Sequence, residues 1–405
     1  MKKSKLIFVL VLAVVLMGCK TSPETSMEFS NPASQNSVYP NLYSTGEQLY
    51  MSWITKNDKE TEIHSLNYAS YSNDTWSSTK TVATDSTWFV NWADFPSIIA
   101  DKNGPLAAHW LNKKPGGPYA YDVNISTINK SGNWSQALVP HNDETPTEHG
   151  FVSMIPWDNE TFLAVWLDGR RTDGRSDEDY YKLDYAMTLR GAIISREGAI
   201  KQRFLIDEAV CDCCPTSLVK TSGGAVVAYR DRTDNEIRDI YTSRYNGEKW
   251  SNPEAIYQDG WKIGACPVNG PKLAAHDSLV SIAWHTGAHD NPTAKYAYSV
   301  DNGTTFSKPV TLNDSTSLGR VDAEIYKGIS YLSWIEKGNN QAMLKMASFD
   351  GDKRINQSKT VATLNESRKT GFPQMEAING QLIFAWTQPD STGTKVITKK
   401  IPLNP

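Results

Sequence analysis

The sequence predicts an all-β fold, a seven-bladed β-propeller, from three observations. A short apolar run that ends in an aromatic residue occurs seven times along the chain, at a near-constant spacing of about 50 to 63 residues. Each repeat consists of apolar runs of strand length separated by polar turn residues. No segment keeps the i, i+3, i+4 apolar spacing of an amphipathic helix over three turns. Units of four short strands in series are typical of a propeller.

Each repeat is marked by the aromatic residue of its best-defined apolar run. The seven markers are Trp53, Trp110, Trp166, Tyr229, Trp284, Trp334 and Trp386. In residues 95–140, the runs "FPSIIA", "LAAHWL", "DVNISTI" and "SQALVP" predict four antiparallel strands. The seventh repeat, from about Gly371, supplies only three such runs. We therefore expect its fourth strand to come from the N-terminal segment near "SMEFS".

The N-terminal segment predicts export. "MKKSKLIFVLVLAVVLMGC" combines early lysines with an apolar run that is too short to cross a bilayer, as in a secretory signal peptide. Its ending "LMGC" resembles the lipobox of bacterial lipoproteins, which implies lipidation of Cys19. We expect a lipoprotein signal peptide at 1–18, a flexible tether at 19–40 and a propeller at 41–405. The lipid would anchor the exported chain to a bacterial membrane, on its periplasmic or cell-surface side.

The charge of the chain excludes one class of partner. The formal net charge is -4, and removal of the lysine-containing signal peptide makes the mature part more acidic. Proteins that bind nucleic acid present basic surfaces, so no nucleic-acid partner is expected. The sequence indicates no particular oligomeric state.

Propeller topology assigns the loops to two faces. In a four-stranded meander, the loops that lead into the first strand and those that join the second strand to the third lie on the same face. These loops carry the following polar and aromatic residues: Trp92, Asp94, Glu148, His149, Arg170, Arg171, Arg230, Asp231, Arg232, His285, Arg320 and Asp322. The sequence therefore predicts a charged site at one end of the channel.

These residue types suit the cleavage or binding of a charged sugar. Glycosidic cleavage needs an acid with a raised pKa and a second group that acts as nucleophile or base. The catalytic candidates are Asp94, Glu148, His149, Asp231 and Asp322. Guanidinium groups bind carboxylate or sulfate in a bidentate manner, and the ligand-binding candidates are Trp92, Arg170, Arg171, Arg230, Arg232, His285 and Arg320. The alternative for each arginine is an ion pair that holds blades together.

Four cysteines besides Cys19 lie in two adjacent repeats: Cys211, Cys213, Cys214 and Cys266. "CDCC" leads into the fourth blade and "ACP" into the fifth, so contact between Cys266 and the other three is expected. An exported protein favours disulfides, for example one that joins Cys266 to the cluster and one within the cluster. A copper or zinc site and free thiols are the alternatives, and no cofactor is expected if the cysteines form disulfides.

A turn in the fifth repeat, "SVDNGTTF" from Ser299 to Phe306, resembles the Asp box of sialidases and related propellers. In that motif the aspartate bonds the turn, so the resemblance implies a structural role for Asp301. The motifs "NWADFPS", "CDCCPT", "YRDR" and "CPVNGP" resemble those of a group of exported bacterial Asp-box propeller proteins. The resemblance covers about residues 41–401 and implies a sialidase-like propeller lipoprotein, with the six-bladed sialidase-type propeller as the alternative fold.

The match to sialidases themselves is partial. Sialidases share an Arg-Ile-Pro segment, three arginines that bind the sialate carboxylate, a Tyr–Glu nucleophile pair and an aspartic acid. This sequence has no Arg-Ile-Pro and no tyrosine evidently placed beside a glutamate. The function implied is a glycoside hydrolase, of the exo-α-sialidase type, acting on an anionic glycan or a similar charged ligand. Alternatives are a non-catalytic glycan-binding lipoprotein, a polysaccharide lyase with His149 or His285 as base, and a metal-dependent enzyme built on the cysteines.

Overall fold

A computed structural model of the protein describes residues 26–57, 62–339 and 341–403. Cys19, the signal peptide expected at 1–18 and the first part of the expected tether lie outside these residues. Within the described ranges, no helix has the length and apolar character needed to cross a membrane.

The described residues form 29 β-strands and four short 3-10 helices. The 3-10 helices cover Arg170–Thr172, Leu183–Tyr185, Ala288–Asp290 and Arg368–Thr370. The strands, in chain order, are β1 (Met27–Phe29), β2 (Ser37–Ser44), β3 (Leu49–Lys56), β4 (His64–Ser72), β5 (Thr75–Trp76), β6 (Lys80–Asp85), β7 (Ser97–Asp101), β8 (Gly104–Lys113), β9 (Tyr121–Thr127), β10 (His149–Pro156), β11 (Thr161–Asp168), β12 (Met187–Ser195), β13 (Ile200–Val210), β14 (Ser217–Thr221), β15 (Gly224–Arg230), β16 (Ile240–Tyr245), β17 (Glu254–Ala255), β18 (Lys272–His276), β19 (Leu279–Thr286), β20 (Thr293–Ser299), β21 (Val310–Thr311), β22 (Ser317–Tyr326), β23 (Ile329–Lys337), β24 (Ala342–Asp350), β25 (Lys353–Arg354), β26 (Lys359–Leu364), β27 (Gln374–Ile378), β28 (Gln381–Asp390) and β29 (Gly393–Pro402).

The strands form seven antiparallel sheets that follow one another around a ring. Blade 1 contains β2–β6, blade 2 β7–β9, blade 3 β10–β13, blade 4 β14–β17, blade 5 β18–β21, blade 6 β22–β26, and blade 7 β27–β29 together with β1. The first strands of neighbouring blades contact one another around a central channel. The seven-bladed β-propeller predicted from the sequence is confirmed, and the six-bladed alternative is wrong.

The seven marker aromatics lie in the second strand of their blades, and each is at most 6% exposed. In four of them, Trp53, Trp166, Trp334 and Trp386, the indole N–H donates to the side chain two residues further along the strand. The indole can therefore be buried between blades without leaving its donor unpaired. The pairing accounts for the burial of the indole in these four blades.

The N-terminal strand β1 closes the ring. It pairs antiparallel with residues 398–400 of β29, the last strand of blade 7. The side chain of Asn31 reinforces the junction by donating to the carbonyl of Val396 at 3.0 Å. The prediction of a closing strand near "SMEFS" is thus confirmed. The tether boundary at residue 40 is wrong, because β1 and the start of β2 already pair within sheets.

Blade 2 departs from the four-strand prediction made for residues 95–140. Its described part has a three-stranded sheet, and the segment "SQALVP" makes only isolated bridges, one through Leu138 and one just before it through Trp134. The hydroxyl of Ser135 accepts the backbone N–H of Thr127 at 3.1 Å. The same serine contact occurs in blades 1, 4 and 5, where Ser77, Ser251 and Ser307 accept the N–H of Ser70, Arg244 and Tyr298, so it is a shared feature of the blades and does not explain the missing fourth strand.

The two ends of the channel differ. Residues of all seven first strands line a cavity of about 820 Å³. At the end where these strands begin, a ring is formed by Asn41, Ser97, Ser153, Ser217, Lys272, Asp322 and Gln374, each paired with the residue that precedes a marker aromatic. Asp301 lies in the turn between β20 and β21, towards the other end, where its Oδ1 accepts the N–H of Thr304 and of Thr305. These bonds stabilise the turn.

Candidate active site at the channel mouth

A pocket of about 110 Å³ lies at the mouth of the channel, where the first strands begin. Two of the candidate acids, Asp94 and Asp322, line it. Phe95, Phe151 and Phe372 form an apolar part of the pocket wall. The loops that lead into the first strands therefore do converge on one site, as propeller topology predicted.

Asp94 and Glu148, the carboxyl pair, share the hydroxyl group of Tyr121. The Tyr121 Oη lies 3.1 Å from Asp94 Oδ2 and 2.5 Å from Glu148 Oε1. A phenol has a single proton, so both contacts are hydrogen bonds only when one carboxyl group is protonated and donates to the phenol oxygen. Asp94 Oδ1 also accepts the N–H of Phe151 at 2.8 Å, and the Tyr121 ring stacks on Phe89. These contacts hold the carboxyl pair in a fixed position.

Burial keeps the carboxyl pair protonated at a higher pH than exposed carboxyl groups. It raises the pKa of Asp94 to about 7, against the hydrogen bonds to its charged form. Burial, together with the charges of Asp94 and Asp212, raises the pKa of Glu148 to about 8. Gly150 packs directly against Asp94 and Tyr121, because a Cβ there would come within 1.9 Å of Asp94 Oδ2 and 2.9 Å of Tyr121 Cε2. Geometry and burial therefore both favour a proton shared by the pair near neutral pH.

Asp322 reaches the same pocket from blade 6. Its Oδ2 accepts the N–H of Met375 in blade 7 at 2.7 Å, and its Oδ1 lies 3.4 Å from Lys272 Nζ. Burial raises the pKa of Asp322 despite the nearby ammonium group. Asp322 thus joins two blades as well as facing the pocket.

Trp92, Arg320, Arg368 and Phe372 form a second feature of the mouth, the tryptophan–arginine cluster. Phe372 stacks on Trp92, and the guanidinium carbons of Arg320 and Arg368 lie 5.0 and 5.6 Å from the Trp92 ring centroid. Arg320 Nη1 also donates to the carbonyl of Gly371 at 3.3 Å. Among the described residues, neither arginine has a carboxylate at ion-pair distance. Burial and the charge of Arg368 lower the pKa of Arg320 to about 10, so it stays charged at neutral pH.

Blades 4 and 5 carry a contrasting group, the arginine–cysteine cluster. Its members are Cys211, Asp212, Cys213, Cys214, Arg230, Arg232, Glu236, Arg238 and Cys266. Arg230 donates to backbone carbonyls of Asn269, Arg238 and His285, and Arg232 donates to Glu236 and Asp212. Both guanidinium groups are buried, with 1% exposure. The structure does not support the prediction that Arg230 and Arg232 bind a ligand, because acceptors within the protein already take up their N–H groups.

Cys213 and Cys266 form a disulfide between the loops that lead into blades 4 and 5, which confirms the predicted link from Cys266 to the first cluster. Cys211 and Cys214 are buried, and their sulfurs lie 2.6 Å apart. Burial opposes ionisation of Cys211, but the contact with Cys214 and the charge of Arg238 outweigh it and lower the thiol pKa to about 7. A tetrahedral zinc ion does not fit between these two sulfurs, and Cys213, the third thiol near enough to share an ion, is already in the disulfide. Thiolates on one tetrahedral zinc stand about 3.7 Å apart, given Zn–S bonds of about 2.3 Å.

A further polar group at the junction of blades 2 and 3, the histidine–aspartate cluster, comprises Asp122, His141, Asp143, His149 and Asp168. The rings of His141 and His149 stack with centroids 3.8 Å apart. Asp143 contacts both rings, at 3.1 Å from His141 Nδ1 and 3.0 Å from His149 Nε2. Burial lowers the pKa of His141, but its contacts with Asp122 and Asp143 outweigh burial, so that the pKa is raised.

This cluster corrects two site predictions. His149, predicted to be catalytic, has no exposed surface, and Arg170, predicted to bind ligand, is held by Asp168 through Nε at 2.6 Å. Asp122, His141 and His149 are near enough to one another to share a metal ion. Stacked imidazoles cannot both direct their in-plane lone pairs at one ion, however, so the arrangement serves as a buried ion-pair network instead.

Three other candidates lie away from the pocket. Burial raises the pKa of Asp231 to about 8, but this residue sits at the junction of blades 3 and 4. Arg171 pairs at 3.3 Å with the exposed Glu208. Burial and a neighbouring guanidinium lower the pKa of His285 to about 3, which leaves a neutral ring with no charge to attract an anion. The catalytic prediction for Asp231 and the ligand-binding predictions for Arg171 and His285 are therefore not supported by their positions.

The sequence analysis missed Tyr121, Arg368 and Phe372. Tyr121 lies beside Glu148 in the fold, a tyrosine–glutamate pair that was not evident in the sequence. The signal was available: "KPGGPYAY" joins the second and third strands of blade 2, and "SRKTGFP" leads into blade 7. Both loops belong to the charged face by the topological rule that selected the other candidates.

No protein-family profile and no curated protein sequence matches the chain. An ulvan lyase, solved with a bound repeat of glucuronic acid and sulfated rhamnose, is 12% identical with a TM-score of 0.54, over 93% of this chain and 96% of the lyase. An α-L-arabinanase of Penicillium chrysogenum in complex with arabinobiose is 10% identical with a TM-score of 0.51, over 93% and 98%. A protein of unknown function from Dyadobacter fermentans is 12% identical with a TM-score of 0.53, over 94% and 100%. At these identities the likeness shows a shared fold.

Proposed function

We propose that this protein is a glycoside hydrolase that acts on an anionic glycan at the channel mouth. The observation that carries the proposal is the placement of Arg320, a charged guanidinium without a carboxylate partner among the described residues, over the ring of Trp92, two residues from the protonatable, pocket-lining Asp94. The first group provides a place for the charge of the sugar. The second provides a proton for the leaving oxygen.

The acid function is assigned to the carboxyl pair. Glycosidic cleavage proceeds through an oxocarbenium-like transition state that needs protonation of the leaving group and a carboxylate near the anomeric carbon. Asp94 lines the pocket, and the hydroxyl of Tyr121 links it to Glu148. The pair holds a proton near neutral pH and can deliver it through Asp94, while Glu148 takes up negative charge. Tyr121 acts as a positioning residue, since burial raises its own pKa well above the ordinary value and keeps the phenol protonated.

The binding function is assigned to the tryptophan–arginine cluster. A sugar ring stacks on an indole face, and a guanidinium beside that face pairs with a carboxylate or sulfate on the same sugar. Trp92 lies in the same loop as Asp94, which brings the two functions together. The bound sugars of the ulvan lyase and the arabinanase support a glycan ligand for a propeller of this shape.

A lyase reaction has less support from the geometry. Proton abstraction next to a uronate needs a base that reaches the pocket, but His149 has no exposed surface and His285 is 7% exposed with a lowered pKa.

We also propose that the chain is exported and anchored through lipidation of Cys19. The composition of the N-terminal segment supports this.

The proposal is tested with the purified protein and a panel of uronate-containing, sulfated and sialylated glycans. We expect new reducing ends without an ultraviolet-absorbing unsaturated product. Asp94→Asn should lower the turnover by about 100-fold or more, because general acid catalysis contributes about that much. The amide oxygen can still accept the N–H of Phe151, so binding of the same glycan should remain.

A matched control is Asp352→Asn, which changes an exposed aspartate in the turn between β24 and β25, towards the other end of the channel. It should leave turnover unchanged. Unsaturated products would replace the hydrolase proposal with a lyase. Binding that depends on Arg320, without any cleavage across the panel, would make the protein a glycan-binding module.

A further inference from the structure

Cys211 and Cys214 take no part in the proposed glycan site, yet their sulfurs are in direct contact beside it. We propose that these two cysteines form a second disulfide within the "CDCC" turn, so that the rim between blades 4 and 5 carries two adjacent cross-links. The proposal is independent of the proposed hydrolase activity, because it concerns the construction of the rim.

The contact between the two sulfurs is the first argument. Cys211 Sγ and Cys214 Sγ lie 2.6 Å apart, which is closer than two unbonded sulfur atoms approach. The two residues are 0% and 1% exposed, so no solvent separates them. The spacing Cys-x-x-Cys lets a single tight turn bring the sulfurs together.

The surroundings exclude the other uses of these sulfurs. Cys213, between them in sequence, is already bonded to Cys266, with the two Cα atoms 5.9 Å apart. Arg238 Nη1 lies 3.6 Å from Cys211 Sγ, which favours the thiolate form that starts disulfide exchange. The sulfurs are too close together to be ligands of one tetrahedral ion.

The oxidation can be written with its electrons balanced. The Cys211 thiolate attacks one sulfur of a protein disulfide belonging to a thiol oxidase and forms a mixed disulfide, releasing the oxidase's other sulfur as a thiolate. Cys214, once deprotonated, attacks the Cys211 sulfur and releases the second oxidase thiolate. The two cysteines lose two electrons and the oxidase disulfide gains them. The existing Cys213–Cys266 bond needs the same class of oxidant. Because both residues are buried, exchange precedes closure of the rim during folding.

The second cross-link would fix Asp212, which lies between Cys211 and Cys213. Asp212 accepts Arg175 Nη1 at 2.7 Å and Arg232 Nη1 at 3.3 Å. Arg175 belongs to the long loop between β11 and β12, so Asp212 holds that loop onto the rim. With a disulfide on each side, the backbone of Asp212 has little freedom to release the loop.

The experiment is peptide mapping of the full chain. The protein is purified without reductant, denatured in the presence of N-ethylmaleimide so that free thiols are alkylated, and digested with trypsin. Cleavage gives one peptide at 204–220 with three cysteines and one at 263–272 with Cys266, joined by the Cys213–Cys266 bond. We expect the joined pair to take up no maleimide and to be two hydrogen atoms lighter than a pair with free Cys211 and Cys214. Two maleimide groups, on Cys211 and Cys214, would overturn the proposal, as would a different pairing of the four cysteines on fragmentation.

A second measurement tests the effect on the loop. The variant Cys211→Ala/Cys214→Ala keeps the Cys213–Cys266 bond and the Asp212 side chain. In the native state, trypsin should cut after Lys182, an exposed loop residue, several-fold faster in this variant than in the unmodified chain. Cleavage after Lys130, an exposed turn residue distant in sequence, serves as the internal reference. If the ratio of the two cleavage rates is the same in both proteins, the second disulfide does not restrain the loop between β11 and β12.

Discussion

The two halves of the channel mouth use arginine in opposite ways. In the arginine–cysteine cluster, Arg230, Arg232 and Arg238 are at most 1% exposed and donate to acceptors within the protein. In the tryptophan–arginine cluster, Arg320 and Arg368 lie over an indole ring, and no described carboxylate pairs with them. The acceptors within reach of an arginine, more than its residue type or its loop, therefore decide whether it stabilises the fold or remains available to a ligand.

The difference has an energetic basis. Removing one partner from a buried ion-pair network leaves the others desolvated and unpaired, which is costly to the folded state. Removing an arginine that has no carboxylate partner leaves no opposite charge unpaired. Substitutions in the first cluster should therefore lower stability, and those in the second should lower ligand affinity.

The largest expected effect is on the first cluster. Arg232→Met should reduce the free energy of unfolding by about 3–5 kcal/mol, because Asp212 and Glu236 lose a buried partner. Urea denaturation of the two proteins measures the difference. Arg320→Met, studied in parallel, should change the same quantity by less than about 1 kcal/mol. Equal losses in the two variants would erase the distinction between the clusters.

The next-largest effect tests whether the tryptophan–arginine cluster binds a ligand. Arg320→Met should weaken the binding of an anionic oligosaccharide by about 10-fold or more, since a charge-assisted bidentate contact is lost. Isothermal titration calorimetry gives the affinities. Arg171→Met removes an arginine that pairs with the exposed Glu208 and should bind as the unmodified protein does. An affinity that is insensitive to Arg320 would move the anion site elsewhere.

A third prediction concerns the carboxyl pair between the two clusters. In Tyr121→Phe, Asp94 and Glu148 lose a hydrogen bond that lowers the pKa of each, so both pKa values should rise. The pH profile of turnover should shift upwards by as much as about one unit. The phenylalanine ring keeps the stacking on Phe89, which limits any structural change. An unshifted profile would mean that the hydroxyl does not bond the working carboxyl groups.

The smallest effect belongs to the histidine–aspartate cluster. The pKa of His141 is raised in the folded protein, so its contribution to stability is present below its unfolded pKa and is lost as the pH rises through the folded one. His141→Asn should cost on the order of 1 kcal/mol near pH 6 and less near pH 9. Chemical denaturation at the two pH values compares them. A cost that grows with pH would contradict the assigned ion pairs.

The fold was readable from the sequence because its signal is local and repeated. Each marker aromatic sits in a second strand, and several donate to a side chain only two residues away. The closing strand was readable for a related reason, since a three-stranded seventh repeat leaves an edge that needs a partner. Blade 2 differs from the prediction only in extent, because backbone bonds at Ser135 and Leu138 join "SQALVP" to the third strand without forming a continuous ladder.

The candidate site was only partly readable, because its decisive contacts join residues that are far apart in sequence. Asp94 and Arg320 were selected by loop position, and they do lie at the mouth. Arg230 was selected by the same rule, but carbonyl groups 39 and 55 residues away bind it. Glu148 and Tyr121 are separated by 27 residues, which no local pattern reveals. Loop position identified the candidate residues, but the hydrogen-bond and ion-pair partners of each one could be found only in the folded structure.

The closing strand β1 also determines how the ring would bear mechanical force. Three residue pairs with β29, the Asn31 contacts and the hydrogen bond from the Asn36 N–H to the carbonyl of Thr394 join the start of the described chain to its last blade. Any pull on the segment before residue 26 enters the propeller through these few bonds. If Cys19 is held in a membrane, drag on the propeller should open it first at blade 7, while the other six blades stay paired among themselves. The junction that completes the ring is then also the first contact to break under load.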